Sequence, residues 1–151
     1  MPDEGHYERV QVHFDDLDAM GLLHNSRYAL LVERAIAAYW TRLGWSPDPA
    51  TSAFKDVFLA VREFKISYAV PVMGAGELAV RLWIERVGRS SVVYGFLILS
   101  ADHQVTHAEG YRANVNLDPA TLRPAPISEE TRAAAEPLLL RATALSAGRT
   151  P

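Results

Sequence analysis

The stretch Asn25-Ser26-Arg27-Tyr28-Ala29-Leu30-Leu31-Val32-Glu33-Arg34-Ala35-Ile36-Ala37-Ala38-Tyr39-Trp40-Thr41-Arg42-Leu43-Gly44 decides the architecture. Tyr28, Leu31, Val32, Ala35, Ile36, Tyr39 and Leu43 recur at the three- and four-residue steps of a helix. Asn25 or Ser26 stands where an N-cap belongs, and Gly44 stands where a helix commonly ends. Between Tyr28 and Tyr39 the only charged residues are Glu33 and Arg34, so the helix is expected to be enclosed at the centre of the domain.

On the N-terminal side, Glu8 to Phe14 alternates polar and apolar residues as a strand with one buried face does, and an acidic loop, Asp15 to Gly21, leads to the helix. On the other side, Trp45 to Asp56 carries Pro47 and Pro49 and reads as a loop. Strands are then expected over Val57 to Tyr68, around Leu78 to Ile84, over Val92 to Leu99 and over Val105 to Leu117. Gly110, inside the last of these, marks a bulge or a close approach. Ser128-Glu129-Glu130 opens a C-terminal helix with an N-cap and two acids at its positive end. The reading is one domain over residues 1–151, with a core at about 8–127 and a C-terminal helix at about 129–145. Its class is α+β, one antiparallel sheet wrapped on one helix.

Composition narrows the chemistry. With 49% apolar residues in 151, the chain has material for a real core. A net charge of -3 gives no global field toward nucleic acid or anionic lipid, so neither is expected as a partner. The count of cysteines is 0, which excludes disulfides, a thiolate nucleophile and Cys-ligated metal. Met1 to His6 is polar and acidic, and the longest apolar run, Val92 to Leu99, is too short to span a bilayer. A soluble cytoplasmic protein is expected. His103 and His107 are spaced to share a strand face but have no evident third ligand, so no metal is expected.

Asp16-Leu17-Asp18-Ala19-Met20-Gly21-Leu22-Leu23-His24-Asn25-Ser26-Arg27-Tyr28, with Glu33-Arg34 on the helix, resembles the signature of the 4-hydroxybenzoyl-CoA thioesterase branch of the hotdog-fold superfamily. The resemblance continues through Tyr68 and Pro71, the turn Gly88-Arg89-Ser90-Ser91, Gly110, and Asp118 to Ile127. It implies a hotdog fold and hydrolysis of an acyl thioester of coenzyme A or of a carrier protein. Coenzyme A enters as part of the substrate, and no separate cofactor is implied. Asp18 takes the catalytic position, as general base or nucleophile, and Asn25 the position whose backbone N–H polarises the thioester carbonyl. His24 and Tyr28 fall on the substrate side, and Arg89, Ser90 and Ser91 match a turn that contacts coenzyme A phosphates. A homodimer or homotetramer is implied, with sites between protomers.

The chemistry agrees with the residue types. Thioester hydrolysis needs a carboxylate to activate water or attack the carbonyl, and donors for the developing oxyanion. The free N–H groups at a helix start supply such donors. Plainer roles stand beside these. Asp16 reads as a loop-fixing acceptor, His24 as a structural residue near a helix start, and Glu33 as a buried acid paired with Arg34 or a backbone group. A hotdog dehydratase would need a His–acid motif, and His24 followed by Asn-Ser-Arg lacks that setting. The same residues also suit a thioesterase acting on a carrier protein, or a non-catalytic module that binds acyl thioesters.

Overall fold

The computed structural model describes residues 5–140. Five strands, β1 (His6–Val12), β2 (Leu59–Tyr68), β3 (Gly76–Val87), β4 (Ser91–Ser100) and β5 (Thr106–Asn116), form a single sheet in the order β1-β3-β4-β5-β2, antiparallel at every pairing. Helix α1 (Tyr28–Arg42) lies on one face of it, and a short α2 (Glu129–Ala135) follows the sheet. This is the α+β hotdog arrangement, a long helix against an antiparallel sheet.

Alternation builds the core. Leu78, Val80, Leu82 and Ile84 of β3 face α1 together with Val92, Tyr94, Phe96 and Ile98 of β4, and all are buried. From the helix come Tyr28, Leu31, Val32, Ala35, Ile36 and Trp40. The sheet covers only one side of α1. Leu30 and Ala37 are half-buried and Glu33 and Arg34 exposed, so the expected complete enclosure is not what the described residues provide.

Local corrections have local causes. The first strand stops at Val12, because a 3-10 turn at Phe14–Asp16 is closed by the Asp16 carboxylate accepting the His13 N–H at 2.8 Å. The helix is capped one residue earlier than expected. His24 Nδ1 accepts the Ser26 N–H at 3.1 Å, and Asn25–Arg27 form a 3-10 turn before α1. At the C-terminal end α2 stops at Ala135, and a 3-10 turn with Pro137 follows. Leu139 then bridges to Ile84, and the remainder of the expected 129–145 helix, from 141 on, lies outside the described residues. Gly110 is a close-approach point: a Cβ there would collide with the Lys65 carbonyl on β2.

Buried Asp56 ties three segments. Its Oδ1 accepts from Asn116 at 3.1 Å, and its Oδ2 from the Ser128 N–H at 3.0 Å, the Ser128 hydroxyl at 2.6 Å and the Thr131 hydroxyl at 2.5 Å. The loop before β2, the end of β5 and the start of α2 therefore meet on one carboxylate.

Candidate active site

The two aspartates of the loop do different things. Asp16 is buried, with one oxygen on the His13 N–H and the other 3.6 Å from Arg27 Nε, and its carbonyl accepts the His24 N–H at 2.9 Å. It fixes the loop. Asp18 is half-buried at a tight turn, where Gly21 takes a φ of 79° that suits glycine. Asp18 Oδ1 accepts the Met20 N–H at 2.8 Å and the Leu22 N–H at 3.1 Å. Oδ2 has no hydrogen-bond partner among the described residues. The carboxylate is thus held by one oxygen and offers the other.

Asp18, His24, Asn25, Tyr28 and Tyr68 line one cleft at the start of α1. The Asn25 N–H has no acceptor among the described residues, whereas the Ser26 N–H is taken by His24 and the Arg27 N–H by the His24 carbonyl. Such an orphan donor at a helix start is where an oxyanion is best received. With Nδ1 accepting from Ser26, a neutral His24 carries its proton on Nε2 and is a donor there. Tyr28 packs edge-on against Tyr68 with ring centroids 4.9 Å apart. Burial raises the Tyr28 phenol above its ordinary value, so it stays a neutral donor.

The remaining expected residues lie elsewhere. The Arg89 turn joins β3 to β4, while the Asp18 loop bridges through Leu22 to Met73, just before β3 begins. Eleven strand rises separate these ends, about 36 Å. Within one protomer the turn and the Asp18 cleft are not brought together. Arg89 is exposed, Ser90 half-buried and Ser91 buried, and Arg132 braces the turn through the Gly88 carbonyl at 2.7 Å. Glu33 is half-exposed rather than buried, and it pairs not with Arg34 but with Arg112 of β5 at 3.1 Å. His103 and His107 do not share a strand face. His103 sits in the turn before β5 at a φ of 64° and stacks on Tyr7, whereas His107 on β5 contacts the Val70 carbonyl at 2.9 Å. Among the described residues no group of three or more His, Cys, Asp or Glu could hold a metal ion, and no helix is long and apolar enough to cross a membrane.

Reading the sequence missed Arg112 and Asn114, which are buried on the inner face of β5. The signal was present, since Arg112, Asn114 and Asn116 recur at every second position, on the side of β5 that also carries Ala108 and Gly110.

Comparison with known proteins bears on the fold and the family. The family model described as the Thioesterase superfamily matches residues 20–107, a span that begins just after Asp18. A thioesterase from Thermus thermophilus, solved with coenzyme A and Zn, is 28% identical over 87% of this chain and 92% of that one, with a TM-score of 0.71. A putative thioesterase from Pseudomonas aeruginosa is 26% identical over 85% of this chain and 96% of that one, with a TM-score of 0.73. A 1,4-dihydroxy-2-naphthoyl-CoA thioesterase from Synechocystis shares the fold at 15% identity, covering 85% of this chain and 93% of that one, with a TM-score of 0.73. Comparison with curated protein sequences finds no match. Since the family model spans more than half of the 151 residues, on a hotdog sheet and helix, the chain belongs to the thioesterase superfamily and is a thioester hydrolase.

Proposed function

We propose that the chain hydrolyses an acyl-CoA to the free acid and coenzyme A, with Asp18 as general base or nucleophile. The Asn25 N–H, beside the positive end of α1, receives the oxyanion. The observation that carries this reading is the pairing, in one cleft, of a carboxylate with one oxygen unpartnered and a backbone donor without an acceptor. His24 and Tyr28 contact the substrate from the same cleft. Solved relatives include one holding coenzyme A and one that acts on a CoA thioester, which supports a CoA substrate over a carrier-protein one.

The functional unit is a homodimer or homotetramer. Strand β2 is a sheet edge, with an unpaired backbone side and exposed Phe58, Val61 and Val70 nearby, and a second copy covers it. The distance between Asp18 and Arg89 within a protomer favours a phosphate contact made by the turn of another protomer. Thiol release from a panel of acyl-CoAs, run beside the same acyl groups on a carrier protein, tests the reading. Stoichiometric binding of every thioester without turnover would replace it with a binding module.

A further inference from the structure

Away from the Asp18 cleft, a cavity of about 170 Å³ lies between α1 and the inner faces of β4 and β5. Its walls are largely carbon: Ile36, Trp40, Trp45, Val92 and Leu59. Both indole N–H groups are already used, Trp40 on the Tyr94 hydroxyl at 2.8 Å and Trp45 on the Asp56 carbonyl at 3.0 Å.

Against these walls stand two buried polar side chains, Arg112 at 8% and Asn114 at 6% exposure. Arg112 donates from Nε to Asn114 Oδ1 at 3.0 Å and from Nη2 to Glu33 at 3.1 Å. A guanidinium has five N–H groups and a carboxamide two. The rest of these donors have no protein acceptor among the described residues. These N–H groups open onto the cavity, where a substrate oxygen can accept from them. Two carboxylates line the same cavity: Glu33 on Arg112, and Asp56, saturated by its four hydrogen bonds. A third negative charge would be repelled, so a neutral oxygen is the fitting acceptor.

Strand β2 runs past both the cleft and this cavity. Tyr68 lines the cleft and Leu59 the cavity, and β2 places Val61, Phe64 and Ile66 between them on the same face. From Tyr68 to Phe64, which pairs with Arg112, is four strand rises, about 13 Å. That is farther than a single aromatic ring reaches and corresponds to about ten bonds of an extended chain. The cavity has room for roughly one six-carbon unit, since a dry cavity of about 150 Å³ accepts benzene.

We propose that this cavity binds the far end of the acyl chain and that Arg112 and Asn114 select an oxygen there. The substrate class is then a medium-chain acyl thioester, about eight to ten carbons long, with a hydroxyl or keto group near its end. This deepens the reading of thioester hydrolysis at Asp18 and rests on it.

The test measures kcat/KM for acyl-CoAs of four to twelve carbons, each with and without a hydroxyl on the penultimate carbon. The hydroxylated member should lead by about tenfold at eight to ten carbons, with no lead at four. Arg112→Met and Asn114→Ala should each bring that ratio toward one. Ala37→Phe, which fills the cavity and keeps the donors, should shift the optimum to shorter chains and serves if Arg112→Met fails to fold. A ratio near one in the unaltered protein, or one unchanged in folded Arg112→Met and Asn114→Ala, overturns the proposal. Asp18→Asn separates the two readings. If it keeps full turnover while the length and hydroxyl preferences hold, the catalytic assignment fails and the cavity stands. Binding of the paired decanoyl thioesters to Asp18→Asn, read by fluorescence of Trp40 and Trp45, should favour the hydroxylated one; equal affinities overturn the proposal even without turnover.

Discussion

Replacing Asp18 by Asn isolates the chemistry from the loop that carries it. The residue's Oδ1 holds the Met20 and Leu22 N–H groups at 2.8 and 3.1 Å, and an Asn carbonyl oxygen can hold both. What changes is the unpartnered oxygen, which becomes an NH₂ that can neither abstract a proton nor attack a carbonyl. The expected fall in kcat is roughly 10²- to 10⁴-fold, with a stability change within about 0.5 kcal/mol. Asp18→Ala loses both loop bonds as well and should cost a further 1–3 kcal/mol, about what two partly exposed hydrogen bonds are worth. Thiol release under saturating acyl-CoA, with urea midpoints measured on the same preparations, separates the two effects. Near-full kcat in Asp18→Asn would refute the assignment. If folded Glu33→Gln abolished turnover at the same time, the catalytic acid would belong on the helix.

Arg89→Ala should raise KM for acyl-CoA more than for a short N-acylcysteamine thioester that lacks the nucleotide, and equal effects would remove Arg89 from coenzyme A binding. Light scattering at micromolar concentration should report a dimer or tetramer, and monomer alone would contradict the role given to the β2 edge. Gly110→Ala should destabilise by roughly 2 kcal/mol or more, because a Cβ meets the Lys65 backbone carbonyl rather than a movable side chain; an unchanged denaturation midpoint would show that β2 yields freely. Burial holds the Tyr94 phenol well above its ordinary value of 10.0. An acid raised on folding contributes stability that is present below its unfolded value and lost as pH rises toward the folded one. Stability should therefore fall above about pH 10, and the fall should be shallower in Tyr94→Phe; identical slopes would assign alkaline unfolding to other groups.

What could be read from the sequence follows from how local each signal is. The helix was legible because Tyr28, Leu31, Val32, Ala35 and Ile36 make their pattern within a few turns. The strands were legible because each alternates over its own length, and Gly110 because only glycine tolerates such an approach. His24 as the cap was not legible, since an imidazole acceptor depends on ring orientation, and Asn25 and Ser26 are commoner caps. The Glu33–Arg112 pair joins residues 79 apart, and no window along the chain contains both. Asp18 and Asn25 stand close in sequence, so the candidate site was visible as a motif. The cavity, assembled from α1, the loop before β2, β4, β5 and the approach to α2, was not.

The Asp56 carboxylate makes the loop over the cavity, the end of β5 and the start of α2 share one set of bonds, and no member can leave without weakening the others' hold. Opening there is then cooperative. The backbone amides of Ser128 and Thr131 should then exchange with solvent together with those of the loop around Trp45, tying that loop to the start of a helix more than seventy residues beyond Asp56.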